Sequence, residues 1–546
     1  MPPRTRKADV AQAPSTMKEL KDTLWKAADK LRGSLSAAQY KDVILGLVFL
    51  KYVSDAYDER REVLRTELGG DDADPVQLEM DLDDPDEYQG YGVFLVPDNA
   101  HWDYLSKYAK GRNEPGESPK SIGLLIDEAM DAIMGANESL LGTLPRIYNR
   151  DNIDQRRLGE LVDLFNSAKF SRHGDQKARD LMGEVYEYFL GNFARAEGKR
   201  GGEFFTPPSL VRTIVEVLEP DTGRIYDPCC GSGGMFVQSE KFVEYRHGDA
   251  QDLAVYGQEA IEETWRLAKM NLAIHGMDNK GLGTRWGDTF ARDQHPGVAM
   301  DYVMTNPPFN IKDWTRNIED PRWVFGVPPA NNANYAWIQH VLYKLAPNGS
   351  AGVVMANGSM SSNSNGEGDI RARIVESDLV SCMVAMPTQL FRSTGIPVCV
   401  WFFAKDKKAG SGGAVDRSGE VLFIDARELG YMVDRAERAL SDGPDGDIAR
   451  IADTYHAWRG TKSAAEKRLT YEDVPGFCKS ATVDEIKAAG YALTPGRYVG
   501  TANSAEDLEP VDQKIARLTK ELHSTMDSSD VLGLRVREIL AALTHD

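Results

Sequence analysis

From about Arg200 onward, short β-rich runs alternate with helical stretches, and no other feature of the sequence constrains the fold so tightly. "RIYD" precedes a Gly-rich turn and the helix-like "MFVQSEKFVEYRH". "LAVYGQE" precedes "AIEETWRLAKMNLAIHG", and "AMDYVMT" runs into an Asn-Pro-Pro-Phe turn. "YAWIQHVLYKLAPNG" is a helix with a Gly stop before "SAGVVMAN"; "DIRARIVESD" leads into "LVSCMVAMP", then "IPVCVWFFAKD" and "VLFIDA". Strands separated by helices need crossover connections. The expectation is therefore an α/β fold with a doubly wound, mainly parallel, Rossmann-like sheet that binds ligands at its C-terminal strand ends. "KKAGSGGAVDRSG", Lys407 to Gly419, reads as a flexible hairpin loop or linker.

The first third of the chain has a different texture. "YKDVILGLVFLKYVSDAYDER" (Tyr40 to Arg60) spaces apolar residues by three and four without a proline, and Leu124, Leu125, Ala129, Ile133, Leu140 and Leu141 continue the pattern. The expected division is a disordered leader over 1–15, a helical domain over 16–165, an α/β catalytic domain over 166–480 and a C-terminal helical segment over 481–546. That last segment repeats apolar residues at Val511, Ile515, Leu518 and Leu522, has no core of its own, and is expected to pack on a partner or on the helical domain.

Composition excludes several classes. The chain has 546 residues, 42% hydrophobic and 27% charged, as in ordinary soluble proteins, and no apolar run long enough for a bilayer. The first 14 residues lack the apolar core of a secretory signal. Five scattered cysteines, Cys229, Cys230, Cys382, Cys399 and Cys478, form no Cys-x-x-Cys pair, so no metal site is expected and a reducing cytoplasm fits. The net charge of −20 argues against nucleic acid as a direct partner unless a basic face or a basic partner subunit supplies the phosphate contacts. Asp71 to Glu87 holds nine acids and no base, and reads as a solvated loop.

The chemistry-bearing residues sit at strand ends. In "YDPCCGSGGMF" a strand ends at Asp227 and a turn follows with Gly231, Ser232, Gly233 and Gly234. Glycines let backbone approach a ligand, and the following helix N-terminus attracts its anionic part. An acid before the loop suits an ammonium rather than a pyrophosphate. A ligand with both groups is an amino acid, and S-adenosylmethionine has such a tail. Glu259, in "YGQEAIEET", is placed to accept from ribose hydroxyls, or else to cap a helix. Asp288, in "RWGDTF", is placed at the end of a third candidate strand, where it could accept from an adenine amino group or simply cap a turn. In "TNPPFN" the Asn306 side-chain oxygen and the Pro307 carbonyl form two acceptors, stiffened by Pro307 and Pro308, beside the ring of Phe309. Two preset acceptors would hold an amino group on a planar ring with its lone pair turned toward a methyl donor. In "GEFFTPPSL", Phe205, Thr206 and Pro207 could close over the methionine end, although Thr206 is equally a helix cap.

"GEFFTPPSLV", "DPCCGSGGM", "GQE", "GDTF" and "NPPF", in that order, resemble the amino-group DNA methyltransferases, and among them the modification subunits of type I restriction-modification systems. "STMKELKDTLWKAADKLRGSLSAAQYKDVILGLVFLKYVSD" resembles that family's helical domain, and "GYALTPGRYVG" its C-terminal signature. The resemblance implies N6-adenine methylation of duplex DNA with S-adenosylmethionine as donor. Asp227, Gly231 and Gly233 would hold the methionine end, with Phe205 to Pro207 beside it. Glu259 would hold the ribose, Asp288 the cofactor adenine, and Asn306, Pro307 and Phe309 the flipped target base. It also implies two copies of the chain on one DNA-specificity subunit, with a motor-nuclease subunit able to join. Rival readings are a methyltransferase acting on a protein glutamine amide or an RNA amine, and a non-catalytic assembly subunit.

Overall fold

The structure, a computed structural model, describes residues 37–69, 74–167, 178–197, 206–247, 253–391 and 395–501, with 21–22, 25–26, 519–520, 523 and 526. The expected leader, and the apolar positions Val511, Ile515, Leu518 and Leu522 of the tail, lie outside the described residues.

The helical layer is built around α1 (Ala37–Glu67). Val43, Ile44, Leu45, Leu47, Val48, Phe49 and Leu50 are all fully buried. A helix apolar on every side must be covered on every side. The helices α2 (Ile122–Ala136), α3 (Gln155–Ser167) and α4 (Ala178–Glu197) share its core through Ile126 and Ile133, Leu158 and Phe165, and Tyr186, Phe189 and Phe193. Ser121 caps α2 by accepting from the Leu124 N–H. The acidic run is not the solvated loop expected. It forms helical turns at Pro75–Leu82 and Asp86–Gln89, because Arg61 pairs with Glu79 and Asp83 and Arg60 with Glu87.

The α/β layer begins with α5 (Pro208–Leu218) and β1 (Gly223–Asp227). It continues through α6 (Gly234–His247), β2 (Leu253–Gly257), α7 (Glu262–Ile274), β3 (Met300–Thr305), α8 (Asn334–Lys344), β4 (Leu345–Ala356) and α9 (Glu367–Glu376) to β5 (Val380–Ala385). It closes with β6 (Val398–Ala404), β7 (Glu420–Asp425), the small ribbon β8 (Tyr431–Met432) and β9 (Arg438–Ala439), α10 (Asp447–Arg459), β10 (Cys478–Thr482) and α11 (Val483–Ala488). Eight strands form one sheet in the order β10-β7-β5-β6-β4-β3-β1-β2. Side chains alternate between two cores: Cys382, Val384, Val400 and Phe402 on one face, Met383, Cys399, Trp401 and Phe403 on the other.

The sheet is mainly parallel, as the alternation requires. Two strands run the other way. β6 is antiparallel to both β4 and β5, and β10 is antiparallel to β7. The link from β5 to β6 has no helix among its described residues, so it cannot make the crossover that a parallel neighbour needs. "RWGDTF" forms no strand; a short 3-10 turn, Lys280–Leu282, and irregular backbone occupy its place. The expected division at residue 480 falls inside β10, and the following segment stays on the sheet. There Tyr498 stacks on Phe423 at 3.9 Å, and Arg371 Nε donates to the Tyr491 carbonyl at 2.7 Å.

Lys407 to Gly419 is neither hairpin nor loose linker, since β5 lies between the strands it joins. Lys407 is buried, pairs with Asp378, and donates to the carbonyls of Val380 (3.0 Å) and Glu420 (2.6 Å). From α10, buried Arg459 donates to the carbonyls of Lys407 (2.6 Å), Val415 (3.0 Å) and Ser411. Arg459→Met keeps the length of the side chain and strands three acceptors. It is expected to lower the unfolding free energy by about 3 kcal/mol in denaturant titration, and a loss below about 1 kcal/mol would show that the loop does not depend on this residue.

Candidate active site

Connections leave β1 toward β2 on one side and arrive at β3 on the other, so a crevice opens between the ends of β1 and β3. Asp227 closes β1 and Thr305 closes β3. Thr305 Oγ1 donates to Asp227 Oδ1 at 2.6 Å, and the Cys229 N–H donates to the same oxygen at 3.0 Å. Asp227 is 2% exposed. Burial pushes its carboxyl up to about 7, against the two hydrogen bonds and with the help of nearby Glu259. Cys229 Sγ lies 3.0 Å from Thr305 Oγ1, and burial pushes its thiol well up.

The glycine turn follows. Gly231 (φ +54°) and Gly233 (φ +78°) lie in the left-handed region that favours glycine. The turn is laced to β2 and α7: the Cys230 N–H donates to the Gln258 carbonyl (2.9 Å), and Asn271 Nδ2 to the Ser232 carbonyl (2.8 Å). Glu259 is buried. Its Oε2 accepts from the Gly231 N–H at 3.0 Å and its Oε1 from the Ile261 N–H at 2.9 Å. Each oxygen keeps a second lone pair for a ligand hydroxyl. Asp288 sits in irregular backbone, with Oδ1 accepting from the Phe290 N–H (2.8 Å) and Oδ2 from Thr315 Oγ1 (2.7 Å).

Asn306 faces the same cleft. Its Nδ2 donates to Thr206 Oγ1 at 3.1 Å, while its Oδ1 is buried without a partner. Thr206 therefore does not cap α5; Pro207 holds that position, with Pro208 in the first turn. Phe205 lies outside the described residues. Pro307 is buried and Pro308 exposed. Phe309 is half-buried, edge-on to Phe391 with ring centres 6.3 Å apart. One cleft is lined by Thr206, Asp227, Gly231, Ser232 and Asn306, together with Asn271 from α7 and Glu187 and Leu190 from α4. Glu259 reaches it through Gly231, whereas Asp288 and Phe309 are not part of its lining.

Several supports were not read from the sequence. Asn334, at the start of α8, exchanges two amide hydrogen bonds with Asn310, one to the backbone N–H and one to the side chain, both 2.9 Å. That clamp fixes the turn after Phe309, where Asn310 has φ +55°. The asparagine-rich "PPANNANYAW" before a helix was the available signal. Beneath the loop, Arg322 donates to the Thr289 carbonyl (2.9 Å) and lies 3.0 Å from His340 Nδ1, and His340 Nε2 lies 3.1 Å from the Tyr226 hydroxyl. Burial pushes His340 well below its ordinary value, so the ring is neutral. Because Nδ1 accepts from Arg322, the proton sits on Nε2.

The residues present suit the amino-acid tail of S-adenosylmethionine: acids, a helix N-terminus behind the glycine turn, and the buried, unpartnered oxygen Asn271 Oδ1. Among the described residues no group of three or more His, Cys, Asp or Glu is arranged to hold a metal, and no helix is long and apolar enough to cross a membrane.

Comparison with known proteins points the same way. The N-6 DNA methylase family matches residues 177–507, and the HsdM N-terminal domain matches residues 20–165. The methylase subunit of the type I restriction enzyme HindI from Haemophilus influenzae is 45% identical over 463 residues, covering 83% of this chain and 100% of that one. The MjaIX methylase subunit from Methanocaldococcus jannaschii is 38% identical over 539 residues, 96% of this chain and 91% of its own. In fold, the type I methyltransferase subunit from Streptococcus thermophilus superimposes with a TM-score of 0.70 at 22% identity, covering 89% of this chain and 100% of that one. The chain belongs to the N-6 DNA methylase family, as an S-adenosylmethionine-dependent, adenine-specific DNA methyltransferase of the type I restriction-modification kind.

Proposed function

We propose that this chain methylates the N6 amino group of an adenine flipped out of duplex DNA, and that it does so in the cytoplasm beside a separate DNA-specificity subunit. The observation that carries the reading is the Asn306 side-chain oxygen, buried and unpartnered at the end of β3, in the same cleft as the glycine turn. An exocyclic amine is a poor nucleophile because its lone pair is delocalised into the ring. Asn306 Oδ1 and the Pro307 carbonyl accept its two N–H groups and favour a pyramidal nitrogen. Asn306 is held for this by its bond to Thr206, and the turn by the Asn310–Asn334 clamp. Phe309 offers its face to the base, and Phe391 braces that ring edge-on. A base inside a duplex cannot enter such a cleft, so flipping is required. When bound, S-adenosylmethionine supplies a methyl group made electrophilic by its sulfonium. Asp227, Gly231, Ser232 and Gly233 would hold its methionine end with Thr206 and Pro207, Glu259 would hold its ribose, and Asp288 its adenine.

The net charge of −20 favours a division of labour in which other subunits grip the phosphates. Two copies on one specificity subunit, joined for restriction by a motor-nuclease subunit, make the complete assembly. Radiolabelled methyl transfer to unmethylated duplex DNA, with and without the specificity subunit, tests this: label is expected in adenine N6 only when both are present, and label in protein or RNA alone rejects it.

Two substitutions separate the roles. Asn306→Ala is expected to cut methylation at least about 100-fold while S-adenosylhomocysteine still binds in calorimetry; loss of that binding would move Asn306 from the target base to the cofactor. Phe309→Ala is expected to weaken capture of the flipped base by about 1–3 kcal/mol, read from 2-aminopurine fluorescence, and an unchanged signal would remove the ring from the site.

A further inference from the structure

Glu187 lies on α4, a helix whose Val185, Tyr186, Phe189 and Phe193 belong to the core of the helical layer, yet its side chain lines the cleft beside the glycine turn. The carboxylate is held from the two helices that flank that turn. Lys241 of α6 donates to Oε1 at 2.6 Å, and His275, just after α7, stands with Nε2 3.4 Å from the same oxygen. The imidazole is fixed in turn, with Nδ1 2.9 Å from the Asn271 carbonyl, and the Asn271 side chain holds the Ser232 carbonyl. Gly183 stands one turn before Glu187 on the same helix face, and a Cβ there would lie 2.9 Å from His275 Nε2. Glycine is thus what admits the ring. Glu187 Oε2 has no partner among the described residues, and the side chain is 32% exposed, open to the cleft.

The other acids at the cleft are less suited to a cation. Asp227 is 2% exposed with a carboxyl pushed up to about 7 by burial, and both oxygens of Glu259 already accept backbone N–H groups. Burial acts to raise Glu187, but Lys241 and His275 beside it outweigh that and hold the carboxyl down at about 2.

We propose that Glu187 is a cofactor-binding residue, its Oε2 receiving the primary ammonium of the amino-acid tail of S-adenosylmethionine, so that the helical layer completes the donor site. This rests on the reading of the cleft as the S-adenosylmethionine site. Calorimetry on the full chain compares S-adenosylhomocysteine with its analogue lacking the α-amino group. In Glu187→Gln the affinity for S-adenosylhomocysteine is expected to fall about 10- to 100-fold, the worth of a charge-assisted hydrogen bond, while the affinity for the analogue stays as in the wild type. Glu187→Asp keeps the charge on a shorter arm and is expected to recover part of the loss. An unchanged S-adenosylhomocysteine affinity in Glu187→Gln overturns the proposal. Equal losses for both ligands, with no recovery in Glu187→Asp, also overturn it by making Glu187 a structural support only. Absence of binding of either ligand to the wild-type chain would instead refute the cofactor reading of the cleft, and the proposal with it.

Discussion

The hydrogen bond from Thr305 to Asp227 joins the ends of two strands across the crevice, and the site is hung from it. β1 and β3 pair in parallel with Tyr226 opposite Val303, a register that brings both terminal side chains to one place. A slip of one residue would reverse every side chain of β3, turning Thr305 from Asp227 and Asn306 from the glycine turn. The Pro-Pro pair begins two residues after Thr305, so the strand cannot extend its ladder past the site. Position is thus set by the sheet and stiffness by the turn.

Acid gathers around the cleft of a chain that is already strongly negative, and each carboxyl is accommodated differently. Asp227 is kept partly protonated by burial and shares its oxygen with Thr305 and Cys229. Glu259 spends its oxygens on backbone N–H groups, and Glu187 leans on Lys241 and His275. A local field that suits an ammonium repels a phosphate backbone. On the proposed function, this is the physical reason for leaving the phosphate contacts to another subunit and for bringing the base out of the helix.

The strand–helix alternation and the residues at strand ends could be read directly because local spacing encodes them. Asp227, the glycine turn, Thr206 and Asn306 do share one cleft. What could not be read depended on distance in sequence. The reversal of β6 goes with a link that has no helix among its described residues, but the strand looks like any other buried apolar run. Asp288 was expected to end a third strand; in the fold its carboxylate serves Phe290 and Thr315 in irregular backbone. Lys407 to Gly419 looked loose because glycine and serine usually are, and only the fold brings Arg459 against it. Glu187 was hidden among helical residues whose period serves another core.

Helix α7 faces two ways. Trp265, Ala268 and Leu272 belong to the interior of the sheet, while Leu267, Met270, Ala273 and Ile274 belong to that of the helical layer. The seam between the two matched sequence families is therefore not a line along which the molecule can be severed. A fragment cut at that seam would keep α4 with the sheet but lose α1, stranding part of an oily stripe of α7 in water. Inheritance of the two parts as a single polypeptide is then a solvation requirement as much as a genetic convenience.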